Sequence, residues 1–188
     1  MTGIILSGGK NSRMGTNKAF LEVEGKRLID RTVCLFKELF TEVMVVTNAP
    51  FDYLDLEIQV VTDIVKGKGP LGGIYTGLFF ASCDHAFVAP CDMPFLNKNF
   101  IASMIRQTAN YDIVVPGPPE GLQPLHAIYS KRCLPVIKKL IMLDHLKTTG
   151  FYKGFRMLTL DERAIRPFDP QGRMFLNINS QEDRKHLA

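Results

Sequence analysis

Gly3-Ile4-Ile5-Leu6 is an unbroken apolar run that empties into Ser7-Gly8-Gly9, the pattern of a strand buried on both faces that ends in a glycine loop. From Arg27 to Phe40 the period changes. Ile29, Val33, Phe36 and Phe40 recur at helical spacing, and Leu28, Leu35 and Leu39 widen the stripe, which predicts an amphipathic helix. Val43-Met44-Val45-Val46 reads as a second strand and Ile58-Gln59-Val60-Val61 as a third. Pro70 opens a predicted helix through Phe80, because its fixed φ suits a first helical turn. Ala86-Phe87-Val88-Ala89 follows as a strand. Asn97 to Gln107 is a helix with Phe100, Ile101, Met104 and Ile105 on one face, and Ile113-Val114-Val115 is the next strand. Beyond Pro116 the order is less regular: a Pro/Gly loop to Pro124, a strand over Leu125 to Tyr129, a helix around Leu134 to Leu143, then a stretch to which the pattern assigns no element.

Strands alternating with helices imply an α/β fold with a mostly parallel sheet, helices on both faces and a ligand crevice at the carboxyl ends of the strands. At 188 residues, 46% of them hydrophobic, the chain suits one domain with one core, and so one active site. No repeat or long hydrophilic linker interrupts it, so the irregular second half is expected to fold over the crevice. The net charge of +4, from 23 basic against 19 acidic residues, suits small anionic ligands better than a nucleic-acid-binding stripe. Cys34, Cys83, Cys91 and Cys133 show no C-x-x-C spacing, which indicates neither a zinc site nor a disulfide framework and makes a reducing cytosol the default. Met1 leads directly into the first strand, with no basic leader and no apolar span near about 20 residues, so a cytoplasmic protein without a membrane segment is expected.

The strongest chemical signal is Leu6-Ser7-Gly8-Gly9-Lys10-Asn11-Ser12-Arg13-Met14-Gly15-Thr16-Asn17-Lys18. Glycines let backbone N–H groups approach an anion, and Arg13 and Lys18 supply charge for a triphosphate. It is not a Walker A loop: five residues separate Gly9 from Gly15, and Thr16 stands where that motif requires lysine. The bland reading is a surface loop whose cations face water.

The pattern Leu-x-Gly-Gly-x-x-Ser-Arg-Met-Gly-x-x-Lys resembles the signature loop of nucleotidyltransferases, in the form carried by molybdenum cofactor guanylyltransferases. Gly69-Pro70-Leu71-Gly72-Gly73-Ile74 is similar to that family's glycine-proline-leucine segment, and Cys91-Asp92-Met93-Pro94 to its Cys-Asp-x-Pro motif. Phe175 to Asp183 resembles its Asn-x-Asn-x-x-Glu-Asp stretch, with Asn177 and Asn179 as contacts to the second substrate or the metal.

The resemblance implies a three-layer, Rossmann-like nucleotide-diphospho-sugar transferase fold over residues 1–188, nucleotide-binding in its N-terminal part and facing molybdopterin in its C-terminal part. It further implies Mg²⁺ as cofactor and GTP and molybdenum-bound molybdopterin as substrates, with transient contacts to the proteins that deliver and accept the cofactor. Arg13, Lys18 and Asp92 are then catalytic, and Asp92 is the metal ligand. Leu6, Ser7, Gly8, Gly9, Lys18, Asn48, Asp63, Gly69, Pro70, Leu71 and Asp92 bind the nucleotide. A carboxylate at Asp63 suits the guanine N1–H and exocyclic amine. Gln123 to Tyr129 resembles a segment near the pterin side, in which His126 is not assigned a catalytic role.

Simpler roles stay open beside these: Asp92 capping a turn, Asp63 satisfying backbone N–H groups, and Ser180 with Asp183 opening a last helix. Cys91 reads as a small buried neighbour of Asp92. Other functions also stay open: a cytidylyl- or sugar-nucleotidyltransferase, a catalytically silent nucleotide-binding regulator, and an NAD-binding oxidoreductase. The last rests on Gly67-Lys68-Gly69-Pro70-Leu71-Gly72, which satisfies G-x-G-x-x-G formally but follows the third strand and contains Pro70.

Overall fold

The computed structural model describes residues 1–8, 17–23 and 25–178. The chain runs β1 (Thr2–Leu6), a 3-10 helix at Lys18–Phe20, a two-stranded hairpin β2 (Glu22–Val23) and β3 (Lys26–Arg27), α1 (Leu28–Leu39), β4 (Glu42–Val46) and a 3-10 helix at Pro50–Tyr53. It continues with β5 (Gln59–Val61), α2 (Gly69–Phe80), β6 (His85–Pro90), α3 (Lys98–Ile105), β7 (Ile113–Pro116), β8 (Ala127–Ser130), α4 (Leu134–Met142), β9 (Met157–Leu160) and α5 (Glu162–Ile165).

Seven strands form one sheet in the order β5-β4-β1-β6-β8-β7-β9. The pairs β5/β4, β4/β1, β1/β6 and β7/β9 are parallel, while β8 is antiparallel to both β6 and β7. Six strands therefore point one way and β8 alone runs against them, which is the mostly parallel α/β sheet expected from the alternation of periods.

Successive side chains on a strand face opposite ways, and β1 shows the result. Ile4, with Met44 and Val88, joins Leu71, Ile74 and Leu78 of α2 and Ile137 and Ile141 of α4 in one core. Ile5, with Val45 and Phe87, joins Ile29, Val33 and Phe36 of α1 and Phe100, Ile101 and Met104 of α3 in the other. Helices on both faces make three layers.

The predicted strands and helices recur with ends shifted by one or two residues. Leu125 and His126 precede β8, where the sequence predicts strand, and the helix expected to reach Gln107 ends at Ile105. Four features were not predicted: the hairpin β2–β3, the 3-10 turns, β9 and the four-residue helix α5. Two-residue strands are too short to show a period, and β9 is a four-residue edge strand with only Leu160 fully inside. The irregular half does return to the crevice. Asn97 caps α3 through Phe100 N–H at 3.0 Å and donates its amide to the Phe168 carbonyl at 2.9 Å, fastening the stretch after α5. Ile178 N–H then reaches the Asp92 carbonyl at 2.9 Å. The helix expected from Ser180 lies outside the described residues.

α2 lies close over β1 because it is glycine-rich where the two touch. A Cβ on Gly77 would stand 2.7 Å from both Cδ1 and Cγ2 of Ile4, whose side chain is fully enclosed. Gly77→Ala should therefore destabilise the fold by about 1–3 kcal/mol through overpacking. Urea unfolding with an unchanged m-value measures this; wild-type stability would show that the helix shifts freely.

Candidate active site

The strand register determines what meets at the carboxyl edge. Leu6 pairs with both Val46 and Pro90, and Val46 pairs with Val61, so β1, β4, β5 and β6 finish level. The ladder continues one step further: Ser7 N–H donates to Val46 O at 2.9 Å, Thr47 N–H to Val61 O at 3.0 Å and Cys91 N–H to Leu6 O at 3.1 Å. The next residues along, Gly8, Asn48, Asp63 and Asp92, leave the sheet together.

Asp92 is half-buried. Burial pushes its carboxyl up from the ordinary range, opposed by the positive charge of Lys18 and by its own backbone N–H. Lys18 opens the 3-10 helix that follows the glycine-rich loop, and Asn17 caps that helix, its Oδ1 accepting from Ala19 N–H at 3.2 Å. One cation and one carboxylate, 74 residues apart in sequence, are thus close enough to act on each other. Among the described residues no group of three His, Cys, Asp or Glu side chains is arranged to hold a metal ion. Among the described residues Asp92 offers one carboxylate at this edge, a donor set that would fit Mg²⁺, which usually keeps several waters and takes one or two carboxylates together with substrate phosphates.

On the β4–β5 side, Asn48 donates its amide to Asp63 Oδ2 at 2.8 Å. Asp63 Oδ1 is buried and has no hydrogen-bond partner among the described residues. Burial raises the Asp63 carboxyl, partly offset by Asn48 and the nearby Thr76 hydroxyl. A buried acceptor with an unused lone pair is costly unless a ligand donor completes it. Gly69, Pro70 and Leu71 form the first turn of α2, beside the same edge: Ile64 N–H reaches Thr76 Oγ1 at 3.0 Å, and a Cβ on Gly73 would lie 3.0 Å from Leu6 Cδ2. Gly67 and Gly69 have φ of 76° and 57°. The first two glycines of the formal G-x-G-x-x-G are therefore those of a left-handed turn after β5, and the third lies within α2, where a dinucleotide loop would follow β1.

Leu6, Ser7, Gly8, Lys18, Asn48, Asp63, Gly69, Pro70, Leu71 and Asp92 are brought to this edge. Asn177 is exposed one residue before the Ile178–Asp92 contact. Gly9, Arg13 and Asn179 lie outside the described residues. Cys91 is buried with its thiol pushed up to about 12 by that burial, a neutral neighbour of Asp92. The sequence reading missed Tyr53, which is fully buried and hydrogen-bonds Ser7 and Asn17; the apolar character of Phe51-Asp52-Tyr53-Leu54 has no periodicity that separates it from its exposed neighbours.

A family model of the MobA-like NTP transferase domain matches residues 3–157. The chain belongs to that family. Among nucleotidyltransferases of this family, the molybdenum cofactor guanylyltransferase of Desulfosudis oleivorans is 38% identical over 97% of this chain and 92% of its own. The molybdenum cofactor guanylyltransferase of Syntrophotalea carbinolica is 34% identical over 96% and 87%. The fold is shared with the molybdopterin-guanine dinucleotide biosynthesis protein A of Archaeoglobus fulgidus, at a TM-score of 0.84 and 24% identity over 100% of this chain and 96% of that one. Membership in the MobA-like family accounts for the loop after β1, which a dinucleotide-binding oxidoreductase would not carry.

His126 departs from its expected place on a strand. It sits just before β8, fully buried among Phe87, Phe100 and Phe175, with ring centroids 5.0, 5.8 and 5.2 Å away. Neither ring nitrogen has a hydrogen-bond partner among the described residues, and burial lowers its pKa from 6.5 to about 3. The folded ring stays neutral while the unfolded chain takes up a proton below pH 6.5, so stability is lost as pH falls from there toward about 3. His126→Phe should flatten this acid slope by up to about 1.4 kcal/mol per pH unit. Urea unfolding across that window compares the two proteins, and parallel slopes would mean the ring is protonated in the folded state.

Proposed function

We propose that this chain transfers GMP from GTP to molybdenum-bound molybdopterin, forming molybdopterin guanine dinucleotide and releasing pyrophosphate. The observation that carries the reading is the half-buried Asp92 at the level ends of β1 and β6, under the positive charge of Lys18 from the far end of the glycine-rich loop. The names of the relatives at 34–38% identity support the choice of substrates.

A phosphate oxygen of molybdopterin attacks the α-phosphorus of GTP in line; the new P–O bond forms as the bond to the β-phosphate oxygen breaks, and pyrophosphate carries away the electron pair. No covalent enzyme intermediate is needed. The protein contributes position and charge. Lys18 neutralises the triphosphate, joined by Arg13 on the evidence of its place in the loop motif. Asp92 would hold Mg²⁺, which supplies further neutralisation of phosphate charge when bound. Asp63 Oδ1 accepts from the guanine N1–H and exocyclic amine, and Asn48 orients the carboxylate by occupying Oδ2. The Asn177 segment, held to Asp92 through Ile178, faces the second substrate. Among the described residues no helix is long and apolar enough to cross a membrane.

The test is pyrophosphate release from each NTP with Mg²⁺ and molybdenum-loaded molybdopterin. GTP-selective release, abolished by Asp92→Ala and lowered by about 10²-fold or more by Lys18→Ala, is expected. CTP-selective release would reassign the chain to the sister cytidylyl reaction, and silence with every NTP would overturn the reading. Asp63→Asn, which replaces an acceptor pair with one acceptor and one donor, should reduce the preference for GTP over ATP by about ten- to a hundredfold. An unchanged preference would remove Asp63 from base recognition.

A further inference from the structure

Tyr53 ends the 3-10 helix after β4 and is completely enclosed, while Phe51 and Leu54 beside it are 83% and 75% exposed. Its ring packs on Phe20 with centroids 5.1 Å apart. Its hydroxyl accepts from the Asn17 amide at 2.9 Å and meets Ser7 Oγ at 2.5 Å; Ser7 Oγ in turn donates to Cys91 Sγ at 3.2 Å. With Asn17 as donor, the tyrosine proton goes to Ser7 and the serine proton to Cys91, so each joint of the chain is satisfied.

The positions of these partners give the network its meaning. Ser7 enters the glycine-rich loop from β1. Asn17 leaves it, and the other end of the same amide caps the short helix that begins with Lys18. Cys91 immediately precedes Asp92. One buried hydroxyl from a different part of the chain therefore joins the entrance of the loop, its exit and the strand end that carries the carboxylate.

We propose that Tyr53 is a positioning residue for nucleotidyl transfer, tying both stems of the glycine-rich loop together so that Lys18 is held against Asp92 before the nucleotide arrives. The proposal rests on the nucleotidyltransferase reading above. A cation already in place needs no reorganisation in the transition state. A tyrosine that merely filled the core would pass this duty equally well to phenylalanine, because the ring and its contact with Phe20 would remain.

The experiment is a double-mutant cycle on the full chain, read by calorimetric GTP affinity and by kcat for pyrophosphate release, with Tyr53→Phe, Lys18→Ala and the two combined. Tyr53→Phe alone should weaken GTP binding and lower kcat by about tenfold, a loss of the size of one hydrogen bond, with Tm held within a few degrees. In the Lys18→Ala background the same change should cost less than about threefold, because the group it positions is gone. Equal losses in both backgrounds, or GTP binding and turnover that Tyr53→Phe leaves untouched, would overturn the proposal alone. Failure of the unaltered chain to bind any NTP would overturn the nucleotidyltransferase reading, and the proposal with it.

Discussion

The parallel pairing of Leu6 between Val46 and Pro90 is the constraint on which the rest of the molecule depends. Because the strands are in step, the residues that follow them emerge on common rungs, and a hydrogen-bonded backbone carries Ser7, Thr47 and Cys91 one step beyond the sheet. Asn48 then stands opposite Asp63, and Gly8 beside Asp92. A slip of one residue in any of these pairings would reverse the strand's inside and outside faces and would also separate the groups of the site. The same alternation that sends Ile4 and Ile5 into opposite cores therefore aligns the chemistry.

The site is poised by burial more than by numbers of charges. Asp92 and Asp63 are both half-buried carboxyls raised above their ordinary range, and each is only partly compensated, one by Lys18 and one by Asn48. Such groups are costly to the empty protein and gain from a ligand that brings what they lack: hydrogen-bond donors for Asp63 and positive charge for Asp92. Beneath them the Tyr53 hydroxyl is buried and hydrogen-bonded to both Ser7 and Asn17.

The second half of the chain shows how an irregular sequence still serves the crevice. β9 adds to the far edge of the sheet, and the stretch after α5 is fastened by Asn97 and ends against the Asp92 carbonyl. Phe175 packs on Phe100 and His126 on the way, so the aromatic box that keeps His126 neutral also guides Asn177 back toward Asp92. None of these contacts joins residues close in sequence, which is why no local pattern announced them.

Periodicity was sufficient to read the layers, since a strand such as Gly3 to Leu6 and a helix such as Leu28–Leu39 must each bury a face, and hydrophobic burial leaves that demand in the sequence itself. The glycine-rich loop with Lys18 stood out by residue types at short, fixed spacing, while the Asp92 turn and the Gly69-Pro70-Leu71 turn stood out only by resemblance to family motifs. Tertiary structure alone decided that Lys18 feels Asp92, that Asp63 keeps one oxygen unpaired among the described residues, that His126 is walled in by phenylalanines, and that Tyr53 bonds both Ser7 and Asn17. Each of those facts depends on the distance between side chains far apart along the chain, and such distances are set by strand order and register, which local sequence does not encode.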